Sequence, residues 1–310
     1  MELSFLLMKT IASMLLMVAV GCVIIKTKII TPVQGKAIST LVLYVVTPCA
    51  VISSFQMEYT NDRLTGLLFS VAAVAVIQGL LIGIGTLIRR PLKLTDVEAA
   101  SIMYPNSVNL IMPLVIYVLG KEWAFYCSGA MIVQTFLIWT HGKSVVCGER
   151  QFDFKKVFLN INIIVLFVSI AMFLLRIKLP VVVTNAVDGI GGCLGPLSML
   201  IIGMLLGERG FKTIIKDKTA YLVSFLRLIA LPVVIVLLVG ITGVEKLHPD
   251  GWNIMLIVVM QSSSAVAAVV TQFAQIYDKD GAHAGTINVM SVLFCIITLP
   301  LMVGLYQLLT

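Results

Sequence analysis

Residues 104–113 read Tyr-Pro-Asn-Ser-Val-Asn-Leu-Ile-Met-Pro and interrupt an apolar run at about 97–119. A proline removes a backbone donor and clashes with the preceding turn. Pro105 also drives Tyr104 away from helical angles. Asn106 and Asn109, between Pro105 and Pro113, can bond freed backbone groups or a ligand. The stretch predicts a helix broken at mid-membrane, and irregular backbone at that depth is tolerated only where it is buried or lines a cavity. A half-helix restarting near Asn109 would aim its N-terminal amides at the break, and such an end attracts anions.

The rest of the chain requires a membrane around that break. Of 310 residues, 59% are hydrophobic and 12% charged, against about 25% charged in a soluble domain. The mean hydropathy is +1.06. The net charge of +7 sits in short gaps between apolar runs. It therefore reads as a topology signal, and no basic patch with interleaved aromatics points to nucleic acid. The six cysteines form no CxxC pair and read as apolar packing residues rather than a metal or disulfide set. The run Leu3–Ile25 is longer than the ~7–15 apolar residues of a signal peptide and reads as a retained first span.

A spanning helix needs about 20 apolar residues. Ten such runs lie near 4–25, 37–57, 65–88, 97–119, 122–143, 157–176, 183–207, 219–240, 252–275 and 284–308. The even-numbered gaps hold only Arg63, Lys121, Arg176, Lys178 and Lys246, whereas the odd-numbered gaps hold most of the other Lys and Arg residues. Positive charge stays inside, so the odd gaps should be cytoplasmic and both termini outside. The expected architecture is all-α, a single membrane domain over residues 1–310 in the cell membrane.

An internal repeat is also expected. Pro48 in span two and Pro196 in span seven sit at comparable depth. Gly120-Lys121-Glu122 after span four matches Asp278-Lys279-Asp280 after span nine. Two five-helix halves, 1–150 and 151–310, would then be inverted relative to each other, the plan of many secondary transporters. Counting 158 residues between the halves sets Ser264 opposite Asn106 and Ala267 opposite Asn109. Span nine there carries Gln261, Ser262, Ser263 and Ser264, and this is the second expected break. Two broken spans crossing near the midplane would form a polar pocket in an apolar wall. The candidate substrate-binding residues are Pro105, Asn106, Ser107, Asn109, Pro113, Gln261, Ser262, Ser263 and Ser264. The competing interpretation makes these side chains interhelical glue and kinks.

Two charged residues inside spans are candidates for charge compensation or coupling. Asp188 lies early in span seven and could carry a proton, or simply be solvated at the outer surface. Arg227 in span eight could offset a substrate's negative charge, or sit at the cytoplasmic face beside Lys216 and Lys218. Gln78 and Gln134 read as bonds between neighbouring helices, and His141 as interfacial. His141, His248 and His283 stand in or beside separate gaps without an in-span acid partner, so enzymatic chemistry is not expected. No cofactor or metal is expected.

Four segments carry a resemblance: STLVLYVVTPCAVISSF, PNSVNLIMPLV with its following Gly120, GPLSMLIIGMLLGE, and INVMSVLFCIITLPLMV. In that order they resemble the auxin efflux carrier family, including its bacterial organic-acid permease branch. The resemblance implies ten spans in inverted repeats, spans four and nine unwound where they cross, and a fold similar to bile-acid symporters and sodium/proton antiporters. It also implies a scaffold of spans one, two, six and seven, a mobile transport domain, elevator-like movement and a homodimer. This chain has Pro105 where the family often has glycine, and Ser263 and Ser264 where it often has proline. Its central loop, Ser144 to Lys156, is short, which favours the bacterial branch over auxin as substrate. The expected function is secondary transport of a small organic anion, a carboxylate or dicarboxylate, with proton coupling or uniport. The alternative is a non-transporting membrane sensor on the same fold.

Overall fold

The computed structural model describes residues 2–107, 110–148, 159, 161–209 and 217–310. Among them every regular element is a helix. Among the described residues five helical stretches are long and apolar enough to cross a membrane: Pro32–Phe55, Asn61–Arg89, Val181–Glu208, Lys218–Thr242 and Gly281–Leu309.

The chain begins with α1 (Glu2–Lys26), then α2 (Pro32–Leu41) and α3 (Thr47–Phe55), joined by a π turn at Val42–Val46. Next come α4 (Asn61–Arg89), α5 (Asp96–Met103) and α6 (Ile111–Val118). A 3₁₀ segment, Lys121–Cys127, leads into α7 (Ser128–Leu137), a π turn at Ile138–Gly142 and α8 (Lys143–Cys147). The second half contains α9 (Ile161–Leu174), α10 (Val181–Gly192) and α11 (Leu194–Arg209). It continues with α12 (Lys218–Phe225), a π turn at Leu226–Ala230 and α13 (Leu231–Thr242). It ends with α14 (Gly251–Ser262), α15 (Ala268–Ile276) and α16 (Gly281–Leu309).

Two of the three π turns have a direct cause in the sequence. Pro48 and Pro232 lack the N–H that would return to the carbonyls of Tyr44 and Leu228, and those carbonyls lie within the widened turns. Helix starts are also encoded locally. Thr31 with Gln34 and Thr95 with Glu98 form capping boxes at α2 and α5.

The helices pack in two groups. In the first, α1 and α2 lie against α11, while α3 lies against α9 and α10. Small residues permit this closeness. A Cβ built at Gly21 would stand 2.2 Å from the Leu200 carbonyl oxygen, and one at Gly203 2.0 Å from that of Val18. In the second group α4 packs on α5, α7 and α14, and α16 on α12, α13 and α15. This second group contains both interrupted segments.

Bonds between loops and helix ends fall into two sets. Lys178 Nζ donates to the Gln56 carbonyl at 3.0 Å, Thr65 Oγ1 meets His248 Nε2 at 3.1 Å, and Trp252 Nε1 donates to Thr310 Oγ1 at 3.0 Å. In the other set His283 reaches both Asp217, at 2.7 Å, and Glu98, at 3.0 Å, and Lys143 lies over the Tyr277 ring.

Candidate functional site

Helix α5 stops at Met103 because Pro105 follows. Tyr104 is extended, with φ −111° and ψ 108°. The second interruption lies between Ser262 and Ala268. It contains no proline, yet the helix is interrupted there. The two extended stretches meet as an isolated antiparallel bridge between Pro105 and Val266. The Asn106 amide donates to the Ala265 carbonyl at 2.7 Å, and the Ala267 amide donates to the Tyr104 carbonyl at 2.9 Å. Each break thus satisfies backbone groups of the other, as a non-aqueous interior demands.

Side chains satisfy the remaining ends. The last carbonyls of a helix have no partner within it. Gln78 Nε2 donates to the Met103 carbonyl at 2.9 Å, closing α5. Ser107 Oγ at 3.1 Å and Ser264 Oγ at 2.9 Å donate to the Gln261 carbonyl, and Arg227 Nη2 donates to that of Ser262. Gln134 Nε2 donates to Ser107 Oγ at 2.7 Å and to Gln78 Oε1 at 3.2 Å. Gln261 Nε2 donates to the Cys127 carbonyl at 3.2 Å. From α16, Asn288 Nδ2 donates to the Val266 carbonyl and Ser291 Oγ accepts from the Val266 amide, at 2.8 and 3.0 Å.

Most of the residues singled out from sequence meet here. Pro105, Asn106, Ser107, Gln261, Ser262, Ser263 and Ser264 form or flank the crossing, and all but the half-buried Asn106 are buried. Asn109 lies outside the described residues. Pro113 is the third residue of α6 rather than part of the interruption, because the helix restarts at Ile111. At that position a missing N–H leaves no intrahelical bond unmade. Arg227 is not at a solvated face: it is fully buried and bonded to the end of α14. Asp188 instead bonds Ser53 Oγ at 2.5 Å and Lys121 Nζ at 2.7 Å, in a half-exposed ion pair. His141 is not a bare interfacial residue: its Nδ1 lies 2.8 Å from the Tyr104 hydroxyl, at the edge of the first break.

Sequence reasoning missed Asn288 and Ser291. Their spacing of three places both on one face of α16, and a polar pair on one face of an apolar helix was the available signal. Gln78 and Gln134 were seen only as generic interhelical bonds, yet both serve the first break.

Two spaces adjoin the crossing. A small pocket is lined by Gln78, Gln134, Gln261, Pro105 and Ser262 among others. A second, apolar cleft is lined by Met14, Val18 and Met199 of the first helix group and by Leu110, Leu114 and Cys295. Gln261, which lines the smaller pocket, and two side chains at the end of α14, Ser263 and Arg227, keep unused polar atoms: among the described residues Gln261 Oε1, Ser263 Oγ, and Arg227 Nε and Nη1 have no hydrogen-bond partner. Buried polar groups are normally paired. A cluster of unpaired ones at a helix crossing is therefore suited to receiving a polar ligand in an otherwise apolar interior.

Two segments, residues 6–151 and 149–303, match the family model described as membrane transport protein. No curated protein matches the chain. Several apolar helices and this match together make it a multi-pass membrane protein. Nearly the whole chain is covered, and the protein belongs to the membrane transport protein family, that of the auxin efflux carriers.

Proposed function

We propose that this membrane protein is a secondary transporter that moves a small organic anion, a carboxylate or dicarboxylate, across the cytoplasmic membrane by alternating access. The substrate sits where the two interrupted helices cross. The observation that carries this reading is the crossing itself, with mutually bonded breaks flanked by unpaired buried polar atoms. Helices α6 and α15 begin at the breaks, and their first amides give the site a positive local potential.

Ten crossings in two inverted halves, 1–150 and 151–310, complete the reading. The first half-helices end at Met103 and Ser262, 159 residues apart, and the second begin at Ile111 and Ala268, 157 apart. This agrees with the 158-residue offset of the repeat. The two sets of loop contacts also support it, since one joins only even-numbered gaps and the C-terminus and the other only odd-numbered ones. The basic residues put the odd set in the cytoplasm and both termini outside. An elevator-like shift of the second helix group against the first fits the apolar cleft between them.

Uptake into proteoliposomes across a panel of carboxylates tests this. Saturable uptake of at least one anion is expected, with Asn106→Ala lowering it roughly tenfold or more, the loss of one or two ligand hydrogen bonds. Absence of anion uptake by the wild-type protein, or uptake indifferent to Asn106→Ala, would count against the reading.

A further inference from the structure

Arg227 is the one charged side chain with no exposed surface among the described residues, and it lies deep within a long apolar helix. The other buried charged groups stand near helix ends: Glu98 in the first turn of α5, Lys143 at the start of α8, which closes the continuous helix 128–147, and Glu245 in the short 3₁₀ turn Val244–Leu247. Arg227 lies nine residues past Lys218 in the stretch Lys218–Thr242. It stands in the π turn at Leu226–Ala230 that precedes Pro232. Its exposure is 0%. A guanidinium does not lose its proton in a protein, so the site holds a full positive charge.

That charge is only partly balanced. Arg227 Nη2 meets the carbonyl of Ser262, the C-terminal end of α14. Such a helix end carries about half a negative charge. Among the described residues Arg227 forms no ion pair, and its Nε and Nη1 have no hydrogen-bond partner. The equivalent end of α5 is closed by a neutral amide, Gln78. The crossing is therefore electrically lopsided: one end is neutral and the other is in positive excess. An unbalanced charge in a low-dielectric interior is costly, and a ligand bearing one negative charge removes that cost. A ligand bearing two replaces an unpaired cation with an unpaired anion.

From this placement we infer that Arg227 sets the charge selectivity of the crossing, and that the carried species is a monoanion. The inference rests on the transport reading above and narrows its substrate class. It also has an electrical consequence: the loaded crossing is neutral, and the empty one carries the positive charge.

The test uses reconstituted full-length protein and a panel of dicarboxylates, each paired with its monoamide, which has nearly the same shape and one charge fewer. The monoamides should be preferred by on the order of tenfold. Exchange of a monoanion between two loaded faces should be unaffected by an imposed membrane potential, while net uptake should respond to it. Arg227→Gln should abolish the preference and Arg227→Lys should retain it. A purely structural role for Arg227 would change amounts of folded protein but not the mono-to-dianion ratio. A wild-type preference for dianions, potential-sensitive exchange, or an unchanged ratio in Arg227→Gln would overturn the inference. Should Arg227→Gln not fold, the wild-type ratio and the exchange measurement still decide. Failure of every anion to be carried would instead remove the transport reading on which the inference stands.

Discussion

Gln134 bonds two partners with one amide nitrogen, Ser107 Oγ and Gln78 Oε1. Through them it links α7 to the break after α5 and to the residue that closes that helix. Leucine at this position keeps the volume but strips both acceptors of their donor. Each newly unsatisfied buried group costs about 1–3 kcal/mol. Gln134→Leu should therefore lower the thermal unfolding midpoint of the detergent-solubilised protein by several degrees. An unchanged midpoint would show that this chain of bonds does not hold the break. The break itself was legible in Pro105, because the effect of proline is local and needs no knowledge of the fold. Its supports were not. Gln78 lies 25 residues from its acceptor and Asn288 lies 22 from its own. A lone amide in an apolar run looks the same whether it binds a lipid-facing neighbour or closes a broken helix.

At the scale of helices, close approach of α1 and α11 rests on glycine. Gly203 and Gly207 are four apart on one face, and their missing Cβ atoms leave room for the backbone of Val18 and Cys22. A Cβ at Gly203 would lie 2.0 Å from a backbone oxygen, which cannot rotate away as a side-chain end can. Gly203→Ala should separate the helices and destabilise the protein by about 1–3 kcal/mol or more. Gly83→Ala in α4 provides the control. A Cβ there meets nothing within 4 Å, so it should be neutral or slightly stabilising. Equal thermal midpoints for the two variants would contradict the packing described. Apolar runs and their lengths announced the helices well. The second interruption was harder, because Gln261–Ser264 carries no proline and its opening depends on bonds from Ser107, Arg227 and α16. Tertiary partners, rather than local propensity, unwind that stretch.

Across the molecule, the two helix groups divide the work. The first buries glycine-rich faces against itself, and the second encloses the crossing and the buried cation. Contact between the groups combines an apolar cleft, aromatic packing of Phe125 on Phe55 and Phe173, and the half-exposed Lys121–Asp188 pair. Surfaces of this kind can slide without leaving buried bonds unmade, whereas the crossing cannot be pulled apart without exposing backbone groups to hydrocarbon. Anion binding at the crossing therefore requires two interrupted segments from distant parts of the chain to lie side by side.

Cysteines at 104 and 267, the opposed pair beside the bridge, test that juxtaposition most directly, in a background with the six native cysteines replaced. Residues facing each other across an antiparallel bridge have Cα atoms about 4.5–5.5 Å apart, within disulfide range. Mild oxidation of membranes should join Tyr104→Cys to Ala267→Cys, a pair that leaves Pro105 in place, and the joined protein should recover free thiols on reduction. Failure of this pair to join, under conditions that join a control pair within a single hairpin, would contradict the crossing and the anion site built on it.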